Sequence, residues 1–462
     1  MTRLRASRMR VVQHPAQRRT LVVLSIGQAL GGVGNGVAVG VGSLLVEQVT
    51  GDAAFAGLAA TLLTLGGAVL AVPLARLAVR RGRRAALTSG ALIGLAGTTT
   101  IVVGGSLGSW PVTLAGFLAL GASMAVNLQS RFAATDLSVR THRGRDLSLV
   151  VWMTTVGVVV GPQLIPPGDA IGVAVGLPHL VGAYVIVGVM QALTAVALAV
   201  GLRPDPLLTA QAMRAGDARA AATSGGAVSA GGRRPAVSAR LLDHPRALLA
   251  IVVVASGHAT MVGIMALTPV HLEHSGHSLA GVAITMSAHT AGMYALSPVF
   301  GILADRVGRL QTILLGQALL VGSIVVNVLL PTDLAPLSLA LLGLGWSAAT
   351  VAGSTLVSES APESARPRIQ GRSDLVQGLA GAAAGAVAGP ILGVAGYSGL
   401  SLAMAAFVVA GCVAAIAASR TPRAEDAPPL AESAAAQAAP SGPLRDATTV
   451  DDARRRPLED HT

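Results

Sequence analysis

Long apolar runs recur twelve times along the chain of 462 residues. They fall near residues 21–46, 54–75, 85–105, 111–132, 147–165, 179–201, 247–270, 279–303, 311–330, 335–357, 371–395 and 397–418. A helix needs about 20 mostly apolar residues to cross the hydrocarbon of a bilayer. Charged residues make up only 12% of the chain, which is about half the share in soluble proteins. The sequence therefore predicts an all-α membrane protein with twelve transmembrane helices.

The distribution of basic residues predicts how these helices are oriented. All 33 basic residues are arginine, and the loops that hold them alternate with loops that hold none. The arginine-containing segments are 1–20, 76–84, 131–146, 202–246, 304–310, 358–372 and 419–462. Cytoplasmic loops of membrane proteins are enriched in arginine and lysine. We therefore expect both termini to lie in the cytoplasm and the chain to be a multi-pass protein of the cell (plasma) membrane.

The absence of lysine excludes several classes of chemistry. A P-loop needs a lysine on the phosphates, and retinal or pyridoxal chemistry needs a lysine amine. The single cysteine, Cys412, excludes an internal disulfide and paired-cysteine zinc sites. An enzyme within the membrane would need paired carboxylates or a metal site there, and the apolar runs contain neither. We expect no enzymatic activity, no cofactor and no nucleic-acid partner, since attraction to the anionic inner leaflet explains the arginines.

Three landmarks repeat at a nearly constant separation. Gly82 corresponds to Gly308, Gly144 to Gly371, and Gly161-Pro162 to Gly389-Pro390, at separations of 226, 227 and 228 residues. This predicts two related six-helix halves, with a solute site between them near the membrane midplane. The predicted domains are a basic N-terminus (1–20), an N-terminal bundle (21–201), a flexible cytoplasmic linker without helical periodicity (202–246), a C-terminal bundle (247–418) and a disordered cytoplasmic tail (419–462).

A glycine-rich acidic and basic motif lies between segments 8 and 9. The stretch from Gly301 to Arg309 reads GILADRVGR and resembles the GxLaDRxGR signature of the major facilitator superfamily. The resemblance implies the twelve-helix fold of that superfamily and an inner-gate motif formed by Gly301, Asp305, Arg306, Gly308, Arg309, Gly82 and Arg83. In the first half, Val79 stands where the signature has aspartate, so the intact acidic copy is expected at Asp305.

A second resemblance concerns segment 5. Gly157, Gly161 and Pro162 resemble part of the glycine-proline motif of antiporters in this superfamily, which implies membership of the drug and small-solute exporter branch. Phe117 stands where that branch carries an arginine early in helix 4, so no proton-linked arginine is expected there. Packing of small residues between helices explains the same glycines without transport, and this alternative stays open.

Polar side chains inside membrane segments are candidates for function because they are costly in lipid. The resemblance implies that helices 1, 4, 7 and 10 line the solute pathway. The candidates on the predicted segments are Gln28, Asn35, Asn127, His258, His289 and Trp346. For each of them an ordinary hydrogen bond between helices is an equally weighted alternative. The two histidines are the ionisable residues in mid-membrane, so either one is a candidate proton carrier.

The loop after segment 7 holds three histidines and one glutamate, His271, Glu273, His274 and His277. These residue types bind zinc or respond to pH. Gly276 interrupts a rigid face of ligands, so no metal site is predicted, and a solvated loop is the simpler interpretation.

The function that these features predict is secondary transport of a small organic solute by alternating access. Export is the favoured direction, and coupling to protons is one hypothesis. The alternatives are an uncoupled facilitator, an importer, or a membrane sensor with the same fold. A monomer in the lipid bilayer and a neutral or hydrophobic solute are expected, because the predicted cavity carries no fixed charge.

Overall fold

The computed structural model describes residues 14–139, 142–223, 245–360 and 366–421. Within these ranges the chain forms fifteen α-helices and no strand. The helices are α1 (Pro15–Thr50), α2 (Leu58–Ser106), α3 (Trp110–Leu120), α4 (Ala122–Ala133), α5 (Arg143–Val160), α6 (Ile165–Ala174), α7 (Val181–Gly201), α8 (Pro206–Thr223), α9 (Pro245–Met265), α10 (Thr268–His274), α11 (Leu279–Tyr294), α12 (Ser297–Arg306), α13 (Arg309–Leu329), α14 (Ala335–Glu359) and α15 (Arg366–Arg420). Short 3-10 turns lie between consecutive helices at Ala53–Phe55, Gly161–Leu164 and Thr332–Leu334.

The described residues contain ten helical stretches that are long and apolar enough to cross a membrane. Two of them, Ala53–Ser106 and Ile369–Arg420, contain 54 and 52 residues, and each covers two of the predicted apolar runs. At about 1.5 Å per residue they measure about 80 Å, well over the ~30 Å hydrocarbon core. Non-helical glycines interrupt both, Gly82 with φ 88° and Gly396 with φ 69°. The multi-pass, all-helical fold is confirmed, whereas twelve crossings and cytoplasmic termini stay predictions.

The centre of the bundle is formed by α1 and by α9 with α10. In each, 78% of the most apolar window is buried within the protein, against a third to a half for the other spans. A helix that is apolar on all sides and buried on all sides belongs to the interior of a bundle. Helix α1 packs on α5 and α7, and α9 packs on α14 and α15. We call α1–α7 the N-terminal half and α9–α15 the C-terminal half.

The segment between the halves differs from the sequence prediction. Residues Pro206–Thr223 form helix α8, where a linker without helical periodicity was expected. Alanine, a strong helix former, recurs along this stretch. Asp205 also caps its start, accepting from the backbone N–H groups of Leu207 at 3.0 Å and Leu208 at 3.1 Å. The rest of the predicted linker (224–244), residues 1–13 and the predicted disordered tail from residue 422 lie outside the described residues.

Candidate functional site

The glycine-proline motif of segment 5 packs directly on α1. A Cβ added to Gly157 would lie 2.2 Å from the carbonyl oxygen of Ala29, and one on Gly161 would lie 2.5 Å from that of Val33. Contacts below 3.0 Å would force the backbones apart. Gly32, on the facing side of α1, would in turn place a Cβ 2.7 Å from the backbone of α5. The glycines of both helices therefore serve close backbone packing within the N-terminal half.

Pro162 gives the same motif a second role. Proline has no N–H, so the carbonyl four residues before it, that of Val158, loses its partner within the helix. That carbonyl accepts a hydrogen bond from Thr290 Oγ1 of α11 at 3.2 Å, and the carbonyl of Val159 accepts one from Ser287 Oγ at 2.8 Å. Gln163 Nε2 also donates to Ser287 Oγ at 2.9 Å. The motif thus offers backbone acceptors from the N-terminal half to the C-terminal half.

Helices α2 and α15 form a second contact between the halves. Thr61 Oγ1 donates to the carbonyl of Ala382 at 3.0 Å. A Cβ on Gly57 would lie 2.0 Å from the carbonyl oxygen of Gly385, and one on Gly389 would lie 2.0 Å from that of Ala54. Because these backbones touch, no side chain or solute passes between them.

An ion pair completes these contacts at the tip of α1. His274 Nε2 of α10 lies 2.9 Å from Glu47 Oε1. Glu47 lies one residue beyond the apolar run 21–46, in the last turn of α1. We call the α5–α11 bonds, the α2–α15 contact and this ion pair the seal. The seal lies at the end of the bundle whose loops carry no arginine.

The histidines of the loop after segment 7 diverge rather than converge. His271 stacks on Tyr397 with 4.1 Å between ring centroids and an interplanar angle of 6°. His277 Nε2 lies 3.2 Å from Asp333 Oδ1, whereas His274 is paired with Glu47. Among the described residues, no group of three histidine, cysteine or acidic side chains is arranged to hold a metal ion.

The signature motif lies at the opposite, arginine-bearing end. Arg309 Nη2 lies 2.8 Å from Glu359 Oε1 at the end of α14, and Arg309 Nη1 lies 2.7 Å from Asp305 Oδ1. Gly308 adopts φ 119° just before α13, a backbone region that favours glycine. Arg306 is exposed, and Gly301 is half-buried on α12. Both carboxylates that pair with Arg309 belong to its own half.

The first-half copy makes the corresponding ion pair. Arg83 Nε lies 2.9 Å from Asp136 Oδ2, and both side chains are largely buried. Gly82 adopts φ 88°, and the carboxylate of Asp205 accepts from the backbone N–H of Arg84 at 2.8 Å. Val79 is exposed. A carboxylate from the end of the N-terminal half therefore caps the turn, although the aspartate of the signature is missing at Val79.

The polar candidates of α1 bond to α4. Gln28 Nε2 donates to the carbonyl of Asn127 at 3.3 Å, and Ser123 Oγ donates to Asn35 Oδ1 at 2.8 Å. Gln28 and Asn35 are buried, whereas Asn127 is half-buried. Of these side chains, that of Asn127 is the one that remains open to a solute.

The candidates of the C-terminal half fall into two environments. The indole N–H of Trp346 donates to His258 Nδ1 at 3.0 Å, and Tyr294 packs edge-on to Trp346 with 6.1 Å between ring centroids. His289 is fully buried and its Nδ1 donates to the carbonyl of Leu339 at 2.9 Å. The structure therefore groups His258 with Trp346 and separates His289 from them.

Sequence reasoning missed four functional candidates, Glu47, Asp136, Tyr294 and Glu359. Each gains its importance from a partner on another helix. Glu47, Asp136 and Glu359 follow shortly after the end of an apolar run, and Tyr294 lies within one; neither position identifies the partner.

Comparison with known proteins agrees with this geometry. The model of the Major Facilitator Superfamily matches residues 24–371 and 273–457. The chain belongs to this superfamily. The predicted resemblance is thus confirmed at the level of the superfamily, while the exporter branch stays a prediction.

Several superfamily transporters are similar to the chain. The uncharacterized MFS-type transporter YdeG of Bacillus subtilis is 34% identical over 84% of this chain and 89% of its own length. The riboflavin transporter RfnT of Brucella anthropi is 28% identical over 83% of this chain and 91% of its own. Among solved structures, a bacterial homologue of the human lysosomal transporter Spinster, in an inward-facing and unoccupied conformation, has a TM-score of 0.65 at 16% identity, covering 88% of this chain and 98% of that one. A D-xylose-proton symporter has a TM-score of 0.64 at 16% identity, over 88% of this chain and 98% of its own.

Proposed function

We propose that this superfamily member is a secondary transporter that exports a small organic solute by alternating access. The observation that carries the proposal is the seal, because it joins the two halves through backbone contacts at one end of the bundle. The ion pairs of the signature motif at the other end, Arg309–Glu359 and Arg83–Asp136, lie within single halves. A transporter whose halves are joined at one end, while the signature ion pairs at the other end lie within single halves, fits one of the two access states.

The arginine pattern supports an assignment of that state. If the arginine-bearing loops face the cytoplasm, the seal is on the outer side and the structure is inward-facing. Cysteine labelling tests this sidedness directly. A cysteine at position 273 should react with an external, membrane-impermeant reagent, and one at position 225 should react only after permeabilisation.

The export direction rests on the glycine-proline motif at Gly161-Pro162. Just before this motif, the backbone carbonyls of Val158 and Val159 accept hydrogen bonds from side chains of α11. Export predicts that cells expressing the chain tolerate a toxic solute better and accumulate less of it. Greater sensitivity and greater accumulation would instead make the chain an importer.

The solute is proposed to be uncharged or weakly anionic. Asn127 and His258, with Trp346 beside it, supply amide, imidazole and aromatic surfaces without a carboxylate. The relative named as a riboflavin transporter supports starting a substrate panel with flavins. A sugar, an amino acid and an organic cation complete the panel.

Coupling to protons is proposed to run through His258 or His289. His289 Nε2 is buried without a hydrogen-bond partner in the described residues, so protonation there would require local rearrangement. His258 is half-buried and accepts from Trp346. An uncoupled facilitator is the alternative, since burying a charge within the membrane is costly.

Flux in proteoliposomes with an imposed pH gradient tests transport and coupling together. The parent protein, His258→Gln, His289→Gln and the double variant are compared with protein-free vesicles. Gradient-driven accumulation that disappears in one histidine variant supports proton coupling by that residue. Accumulation in the double variant excludes both histidines, and downhill flux without any pH effect identifies a facilitator. Absence of flux for the whole panel, from folded protein, contradicts the transporter proposal.

A further inference from the structure

Aromatic residues are rare in this chain, yet two of them meet near the middle of the membrane segments. Phe, Trp and Tyr together make up only 2% of the sequence, with three Trp and three Tyr. Trp346 lies near the middle of α14, and its ring centroid is 6.1 Å from that of Tyr294 on α11, with the rings at 72°. The ring of His258 on α9 lies 6.1 Å from Trp346 at 48°. We call Trp346, Tyr294 and His258 the aromatic trio.

The trio is not a closed packing cluster. All three side chains are half-buried. By contrast, the two rings of the Phe117–Tyr184 contact are completely buried. Aromatic rings that serve packing alone are expected to be enclosed like that pair. The trio therefore leaves part of its aromatic surface available to another molecule.

The hydrogen bond within the trio fixes which groups remain available. Trp346 donates to His258 Nδ1, so the neutral imidazole carries its proton on Nε2. Nε2 lies beside Gly381 of α15, where an added Cβ would come within 2.9 Å of it. In the described parts of the chain neither His258 Nε2 nor the Tyr294 hydroxyl has a hydrogen-bond partner. Two donors thus stand beside an exposed aromatic surface.

The facing wall comes from α4 of the N-terminal half. Arg131 of α4 interacts electrostatically with Tyr294 and with Asp374 of α15, so this face of α4 is turned toward the C-terminal half. Asn127 lies one turn earlier on the same face and is half-buried. The charge of Arg131 is opposed by the nearby carboxylate of Asp374, so this wall selects by hydrogen bonding rather than by charge. A ring with carbonyl groups on its edge would find donors on both sides.

We propose that the aromatic trio, faced by Asn127, binds a planar heteroaromatic solute that has hydrogen-bond acceptors on its edge. This inference rests on the proposed transport function and specifies its solute class. The ring of the solute lies against Trp346, and its edge carbonyls accept from His258 Nε2, the Tyr294 hydroxyl and the Asn127 amide.

Binding of three probes to the purified chain in detergent tests the solute class. Lumichrome is planar and neutral and has edge carbonyls; proflavine is planar and cationic and has none; xylose is not aromatic. Equilibrium dialysis should give saturable binding of lumichrome and at least tenfold weaker binding of the other two. Tighter binding of proflavine or xylose would overturn the inference.

Variants test the position of the site. Trp346→Leu removes the aromatic face and should weaken lumichrome binding about fivefold or more, in line with the energy of a single aromatic contact. Trp152→Leu is the matched control, since Trp152 is exposed on α5, and it should bind as the parent does. His258→Gln retains a donor and should lose less than His258→Leu. Equal binding by Trp346→Leu and the parent overturns the assignment, provided that both elute as folded monodisperse protein.

Flux measurements separate this inference from the proposed function. Lumichrome movement into proteoliposomes that Trp346→Leu abolishes and Trp152→Leu preserves supports both. Movement of xylose or proflavine without lumichrome keeps the transporter and overturns the heteroaromatic site. Saturable lumichrome binding without flux of any probe supports the site and contradicts transport.

Discussion

Replacing Glu47 with glutamine should open the seal. His274 Nε2 lies 2.9 Å from Glu47 Oε1, and the two side chains are 58% and 18% exposed. Exposed ion pairs contribute about 0.2–1 kcal/mol; the burial of Glu47 places this pair in the upper part of that range, at about 0.5–1 kcal/mol. Since 1.4 kcal/mol corresponds to a tenfold change, the ratio of sealed to open protein should fall about 2–5-fold.

Labelling of a cysteine beneath the seal measures the sealed fraction. Thr64 is half-buried on α2, one turn inward from Thr61, so Thr64→Cys in a Cys412→Ser background reports opening to a membrane-impermeant maleimide. Glu47→Gln should label about 2–5 times faster than the parent. Glu273→Gln is the matched control and should label no faster than the parent, because Glu273 acts against the charge of Glu47.

Equal labelling of Glu47→Gln and the parent, with transport intact, would refute this reasoning, because it would show that the ion pair does not stabilise the sealed state.

Further predictions concern the glycines and the signature motif. Gly389→Ala, whose Cβ would meet a carbonyl at 2.0 Å, should raise seal labelling at least ~5-fold, because overpacking costs about 1–3 kcal/mol. Gly393→Ala is the matched control, with nothing within 4 Å of the added Cβ, and should not raise it. Gly157→Ala should lower the apparent unfolding temperature by about 3 °C or more in thermal-shift measurements, since its contact lies within one half. Asp305→Asn should reduce flux more than Val79→Asn does, because the carboxylate at 305 orients Arg309; equal flux in both would contradict a role in the gate.

The sequence is a good guide to elements and a poor guide to contacts in this chain. Apolar runs of about 20 residues identify membrane helices because burial in lipid depends mainly on local composition. The repeat likewise aligned Arg83 with Arg309, and both make ion pairs at the ends of corresponding helices. Their acidic partners, Asp136 and Glu359, lie 53 and 50 residues away. Both ion pairs depend on how the helices pack against each other, and no local sequence pattern encodes that packing.

The histidines after segment 7 show the same limit. Their spacing suggested one shared site, since three histidines fall within seven residues. The end of α10 and the following turn instead direct His271, His274 and His277 to three different partners. The partner of His274 is Glu47, at the end of α1 in the other half. This pair forms only when one half closes on the other. It therefore depends on the conformational state of the protein, which a sequence motif does not specify.

The duplicated glycine-proline motif carries the strongest consequence for mechanism. Gly157 and Gly161 pack on α1 of their own half, whereas Gly389 packs on the 3-10 turn Ala53–Phe55, just before α2, of the opposite half. The glycines of the first copy thus serve an interface within one half, and Gly389 of the second copy serves the interface between the halves. A small residue is needed at both because backbones touch at both. A bulkier side chain at the interface within one half must destabilise the fold, while the same change at the interface between the halves can be relieved by opening the seal. The contrast between Gly157→Ala and Gly389→Ala therefore distinguishes a fixed packing contact from a contact that separates when the seal opens.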